Sequence, residues 1–157
     1  MSYKENTMQI LKKSGWCEER RIDIEDTLKL LMERNFEIFP AVKEFLYEYA
    51  MLDIIVPSPH TKEVIEKYNF REYDLHHTDV FKALGDAGDY YCTTPFEEFA
   101  KEKMIIVGKV CNGNMWIMVS ESGKVFCDSG KLGDNAWEAW ETLCNPLEKR
   151  IVAWQYL

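Results

Sequence analysis

The chain has 157 residues, 46% of them apolar or aromatic, which is enough to bury a core and too much for a disordered protein. Its 27 acidic and 19 basic side chains leave a net charge of −8, a poor balance for gripping a phosphate backbone. No apolar run approaches the length of a membrane span.

In chain order, Asn6 to Ser14 reads as a short polar helix stopped by Gly15, with Trp16 as a core anchor at the turn. Asp23 stands where an N-cap belongs, before Ile24, Leu28 and Leu31 at helical spacing. Phe39-Pro40 opens a helix with the apolar stripe Val42, Phe45, Leu46 and Tyr49. Leu52 to Val56 reads as a short strand ended by Pro57 and Pro59, Thr61 to Tyr68 as a turn or two of helix, and Arg71 to His76 as a strand. Thr94-Pro95-Phe96-Glu97 has the form of a capping box and starts a helix expected to turn Phe96, Phe99 and Ala100 inward. From Met104 onward three β-type runs are separated by Asn112-Gly113-Asn114 and Glu121-Ser122-Gly123. A helix opening at Gly133-Asp134 would bury Trp137, Trp140 and Leu143 or Cys144. Asn145-Pro146-Leu147-Glu148 repeats the cap pattern, so the tail reads as a helix using Leu147, Ile151 and Trp154, with a terminal strand as the alternative.

A search for chemistry finds little. Phosphate loop, dinucleotide glycine pattern, nucleophile elbow and HExxH helix are all missing from the sequence. Gly85-Asp86-Ala87-Gly88-Asp89 reads as a turn. His76 and His77 are adjacent in a strand and so point to opposite faces, which argues against a shared metal; no metal and no cofactor are expected. Cys92 precedes a helix start, where a thiol can be activated, but no histidine and orienting acid accompany it, and it reads as a small hydrophobe. The five cysteines are scattered with no CxxC pair, and the N-terminal stretch lacks the apolar middle of a secretory signal. Both features lead us to expect reduced thiols and a cytoplasmic location.

The charge is unevenly placed. Glu72 to Glu98 holds the acids Glu72, Asp74, Asp79, Asp86, Asp89, Glu97 and Glu98 against a single base, Lys82. Tyr73, Phe81, Tyr90, Tyr91 and Phe96 interleave with them. Such a segment suits a basic protein surface better than a nucleic acid. Tyr90 and Tyr91, in a turn-rich stretch beside Asp86 and Asp89, are the better exposed aromatic candidates.

Three blocks carry a resemblance: LKKSGWCEERRIDI, FPAVKEFLYEYAMLDI and GKVCNGNMWIMVSESGKVFCDSGKLGDNAWEAWETLC. YDLHHTDVF and TPFEEFAKEKMIIVGKV lie between the second and third. In order and spacing these resemble the SUKH superfamily, and most closely its third bacterial immunity-protein branch. The resemblance implies an α+β fold, a mostly antiparallel sheet surrounded by helices. It implies one domain over residues 1–157, with 145–157 a C-terminal extension of it. It also implies a non-catalytic protein that binds and neutralises a cognate toxin domain, often a nuclease, of a polymorphic toxin system. The family has no catalytic motif to carry over. Relatives in the superfamily that act as general interaction modules supply the alternative function. The partner expected is a basic protein toxin, without direct nucleic-acid or membrane contact; oligomeric state is left open. The partner-binding candidates are Glu72, Asp74, Asp79, Asp86, Asp89, Tyr90, Tyr91, Glu97 and Glu98, chosen on charge and not carried over from the family.

Overall fold

A computed structural model describes residues 3–157. Seven strands form one antiparallel sheet in which every strand neighbours the next in sequence: β1 (Asp53–Pro57), β2 (Tyr73–His77), β3 (Met104–Val110), β4 (Met115–Ser120), β5 (Val125–Cys127), β6 (Gly130–Gly133) and β7 (Val152–Ala153). The helices are α1 (Tyr3–Lys13), α2 (Glu25–Glu33), α3 (Pro40–Tyr49), α4 (Lys62–Tyr68), α5 (Val80–Leu84), α6 (Thr94–Ala100) and α7 (Ala136–Cys144). Two 3-10 turns, Tyr90–Cys92 and Trp154–Tyr156, complete the described residues. The fold is α+β, as the resemblance implies.

Helices pack on both faces of the sheet. On one, α3 and α7 meet through Phe45 and Trp140, whose rings lie 6.2 Å apart, and Trp140 is fully buried. Trp16 stacks on Tyr49 and tilts against Trp137, so it is the anchor its position suggested. On the opposite face Trp154 stacks on Phe126 at 5.3 Å and on Phe96 and Phe99 of α6 at 5.8 and 5.6 Å. Antiparallel pairing puts directly opposed side chains on one face. Ile54 and Val56 point into the α1–α7 side, while Asp53, Ile55 and Pro57 point the other way.

Two glycines stand at the closest approaches between strands. A Cβ on Gly108 would lie 2.0 Å from the His77 carbonyl oxygen, and one on Gly130 would lie 2.1 Å from that of Val152. The first lets β2 cross tightly against β3, beside a break in β3–β4 register between Ile106 and Gly108. The second lets β7 lie close against β6.

Several local expectations change. The N-cap of α6 is Thr93, not Thr94, and no side-chain cap bond forms there: the single Thr93 hydroxyl proton is shared between the Tyr90 carbonyl and Glu97 Oε1, each at 2.7 Å, while Thr94 is already helical. Phe99 is 59% exposed despite its stacking on Trp154, because α6 lies at the margin of the sheet. At α2 the cap position falls on Ile24, and the Asp23 carboxylate accepts from the Glu25 N–H at 2.9 Å. The tail is not a helix. Asn145 is buried and its side chain is engaged elsewhere, donating to Thr7 Oγ1 and the Glu141 carbonyl and accepting from Asn6. The next residues turn and continue into β7, the terminal-strand alternative. Gly130–Gly133 forms a fourth strand in the late block, where three β-type runs were apparent.

Candidate partner-binding surface

The acidic segment runs back along the length of β3. At one end, Asp74 of β2 accepts from Asn112 Nδ2 at 2.8 Å, and Asn112 also pairs with the Leu75 backbone, fastening β2 to the β3–β4 turn. At the other, Glu97 lines a cleft with Tyr90, Lys103 and Met104, where β3 begins. A seven-residue strand spans about 20 Å. The acids therefore form a strip, not one compact cluster, and Asp74, opposite Val56, turns off it to the α1–α7 face.

Their side chains divide by task. Asp74 secures the β3–β4 turn, Asp79 caps α5 by accepting from the Lys82 N–H, Asp89 caps the 3-10 turn by accepting from the Tyr91 N–H, and Glu97 holds the Thr93 hydroxyl. Each is half-buried. Short acidic side chains accept from backbone N–H groups at helix starts and turns, which gives Asp79 and Asp89 a structural reason to be acidic, while Asp74 and Glu97 accept from side-chain donors. Glu72, Asp86 and Glu98 are exposed, and no side-chain bond holds them to the described residues. Tyr91 is 65% exposed. Tyr90 is half-buried against it, with ring centroids 4.1 Å apart, and the neighbouring Tyr91 side chain raises the Tyr90 pKa above its ordinary value.

The loop between α5 and the 3-10 turn is fastened from α2. Arg34 donates through Nη1 to the Gly88 carbonyl at 2.6 Å and through Nη2 to that of Gly85 at 2.8 Å, and its own carbonyl accepts from the Tyr90 N–H. The glycine-rich run is thus a turn held by a guanidinium, which presents Asp86 to solvent.

His76 and His77 point to opposite faces, as strand geometry demands. His76 is 2% exposed and its Nδ1 accepts from the Cys111 N–H at 3.0 Å. The proton is then on Nε2, which faces the Leu143 carbonyl without completing a hydrogen bond. Burial lowers the pKa of His76 to about 4, against the opposing pull of Asp74. His77 accepts from the Asp79 N–H at 3.1 Å and is lowered too, chiefly by burial. Among the described residues, no three His, Cys, Asp or Glu side chains are placed to hold a metal ion. No helix of the described residues is long and apolar enough to cross a membrane.

Charge did not pick out the outward face of β1 and β2. Ile55 opposes Leu75, Pro57 opposes Tyr73, and Asp53 opposes His77. Ile55 is 54% exposed and Tyr73 52%. A sheet solvated on one face ordinarily alternates apolar inward and polar outward. Here Ile54-Ile55-Val56 is apolar on both sides, a signal present in the sequence as an unbroken run.

The chain matches no curated protein and no solved structure. It does match the family model described as SUKH-3 immunity protein, over residues 3–146, from α1 through α7. The chain belongs to the SUKH-3 immunity protein family.

Proposed function

We propose that this protein acts in the cytoplasm as the antidote of a polymorphic toxin system, binding the cognate toxin domain and blocking it by occlusion, without catalysis. The observation that carries this reading is the family match across residues 3–146. Charge supports a finer one: the toxin is a nuclease whose basic substrate cleft meets the acidic strip. A nuclease cleft is lined with cations for phosphate, and a protein that covers it gains from carboxylates in the same places. Asp86, Glu98 and Glu72 are suited to that role because they are exposed and uncommitted. Asp74, Asp79, Asp89 and Glu97 add to the field while holding their turns and caps.

The test is co-expression with toxin domains encoded beside the gene, scored by survival, followed by binding measurements on the toxin that is neutralised. The double variant Asp86→Lys, Glu98→Lys is expected to slow association about tenfold and leave thermal unfolding nearly unchanged. Asp89 is a poorer target, because reversal there also removes the cap on the Tyr91 N–H. Survival without binding would sink the occlusion reading, and association unaffected by the reversal would sink its electrostatic part.

A further inference from the structure

We infer that the outward face of the β1–β2 hairpin is the centre of the surface that grips the toxin domain, and that the acidic strip is its flank. This rests on the immunity reading above and deepens it by naming the docking face.

The hairpin presents Ile55, Leu75, Pro57 and Tyr73 together on one side of the sheet. No periodic requirement of a half-solvated sheet places apolar groups there, since Ile54 and Val56 already fill the inner face. Contiguous exposed apolar groups rimmed by polar ones mark interaction surfaces. The centre of a protein interface is apolar and aromatic with charge at its edge, and tyrosine is among the residues that most often dominate its energy. Ile55 and Tyr73 meet that description, and Tyr91, two loops away, would then be peripheral.

The charges around the patch identify the occupant. Lys82 of α5 reaches Asp53 at 3.9 Å, so α5 borders the patch. Past α5 come Asp86, Asp89, Glu97 and Glu98 in chain order. On the patch itself the charges nearly balance, with Asp53, Glu72 and Asp79 beside Arg71, Lys82 and Lys109. The acidic segment thus begins at the border of the patch, just past α5, and with a net charge of −8 on the chain the matching surface is an apolar centre on a basic toxin domain. A second copy of this chain would bring another −8 to the contact.

The experiment uses the full chain and the neighbouring toxin domain it neutralises. Ile55→Ser and Tyr73→Ser together are expected to weaken affinity about 100-fold, mainly through faster dissociation, with thermal unfolding close to wild type because both side chains are half exposed. Tyr156→Ser, an exposed position just past β7 at the opposite edge of the sheet from β1, serves as the control and should leave affinity unchanged. Unchanged affinity in the double variant overturns the docking face while leaving the immunity reading intact. A wild-type chain that binds none of the neighbouring domains overturns both. A wild-type dimer in sedimentation that becomes monomeric on Ile55→Ser would show that a second copy covers the face, and overturns the proposal.

Discussion

His76 is a base that the fold keeps neutral. Its ring lies beneath α7, with Nδ1 taken by the Cys111 N–H, so a second proton would sit where burial penalises charge. The folded-state pKa of about 4 lies below the 6.5 of an unfolded histidine. The unfolded chain therefore binds the extra proton first. The stabilising contribution is complete above about pH 6.5 and is lost as pH falls toward 4. A gap of this size corresponds to about 3 kcal/mol at most. His77 is lowered in the same direction, and the raised carboxylate of Asp128 acts oppositely, so the comparison must isolate one ring. Urea unfolding at pH 7 and pH 4.5 is expected to show a steeper loss for wild type than for His76→Gln. Parallel pH profiles would mean that His76 is protonated in the folded state at little cost. Sequence alone could place His76 and His77 on opposite faces, since strand alternation is local. It could not say which face was dry, because that depends on α7, more than sixty residues further on.

At the scale of elements, the legible parts were those whose signal is local. The α3 stripe Val42, Phe45, Leu46 and Tyr49 is buried throughout, and Asn112-Gly113 makes the left-handed turn between β3 and β4. The misread parts were those in which a distant partner competes for the same atoms. Asn145 looks like a cap, but α1 claims its side chain. Gly130–Gly133 has weak strand propensity, yet it pairs on both sides, with β5 and with β7. The segment following β7 shows what that tertiary pairing secures. Trp154 donates to the Asp128 carbonyl at 2.8 Å and lies against Phe96, Phe99 and Phe126, joining α6 to the sheet. Trp154→Ala should therefore cost about 3 kcal/mol in urea unfolding, since it removes a large ring from between three others. It should also loosen α6 in hydrogen exchange while leaving α7 protected. A loss below about 0.5 kcal/mol would mean that the tail is ornamental to the fold.

At the scale of the whole molecule, the sequence carries the acidic segment plainly and its purpose poorly. A charge count treats the acids from Glu72 to Glu98 alike, whereas the fold commits Asp74, Asp79, Asp89 and Glu97 to turns, a cap and a threonine. A count also ignores the apolar hairpin face, which becomes visible only when the β1–β2 register puts Ile55 opposite Leu75. The two features should leave separate kinetic signatures. Exposed carboxylates such as Asp86 and Glu98 act before contact, over distances comparable with the Debye length, about 10 Å at 0.1 M salt and about 3 Å at 1 M. An apolar patch acts after contact, and salt in this range screens it little. Raising sodium chloride from about 0.05 M to about 0.5 M should then slow association with the toxin domain by about tenfold and change dissociation by less than about twofold. Stopped-flow fluorescence resolves the two rates, and Asp86→Lys, Glu98→Lys should flatten the association slope while Ile55→Ser, Tyr73→Ser leaves it in place. Association insensitive to salt would remove steering from the strip. A dissociation rate that climbed with salt would instead mean that the charges, not the hairpin, hold the complex together.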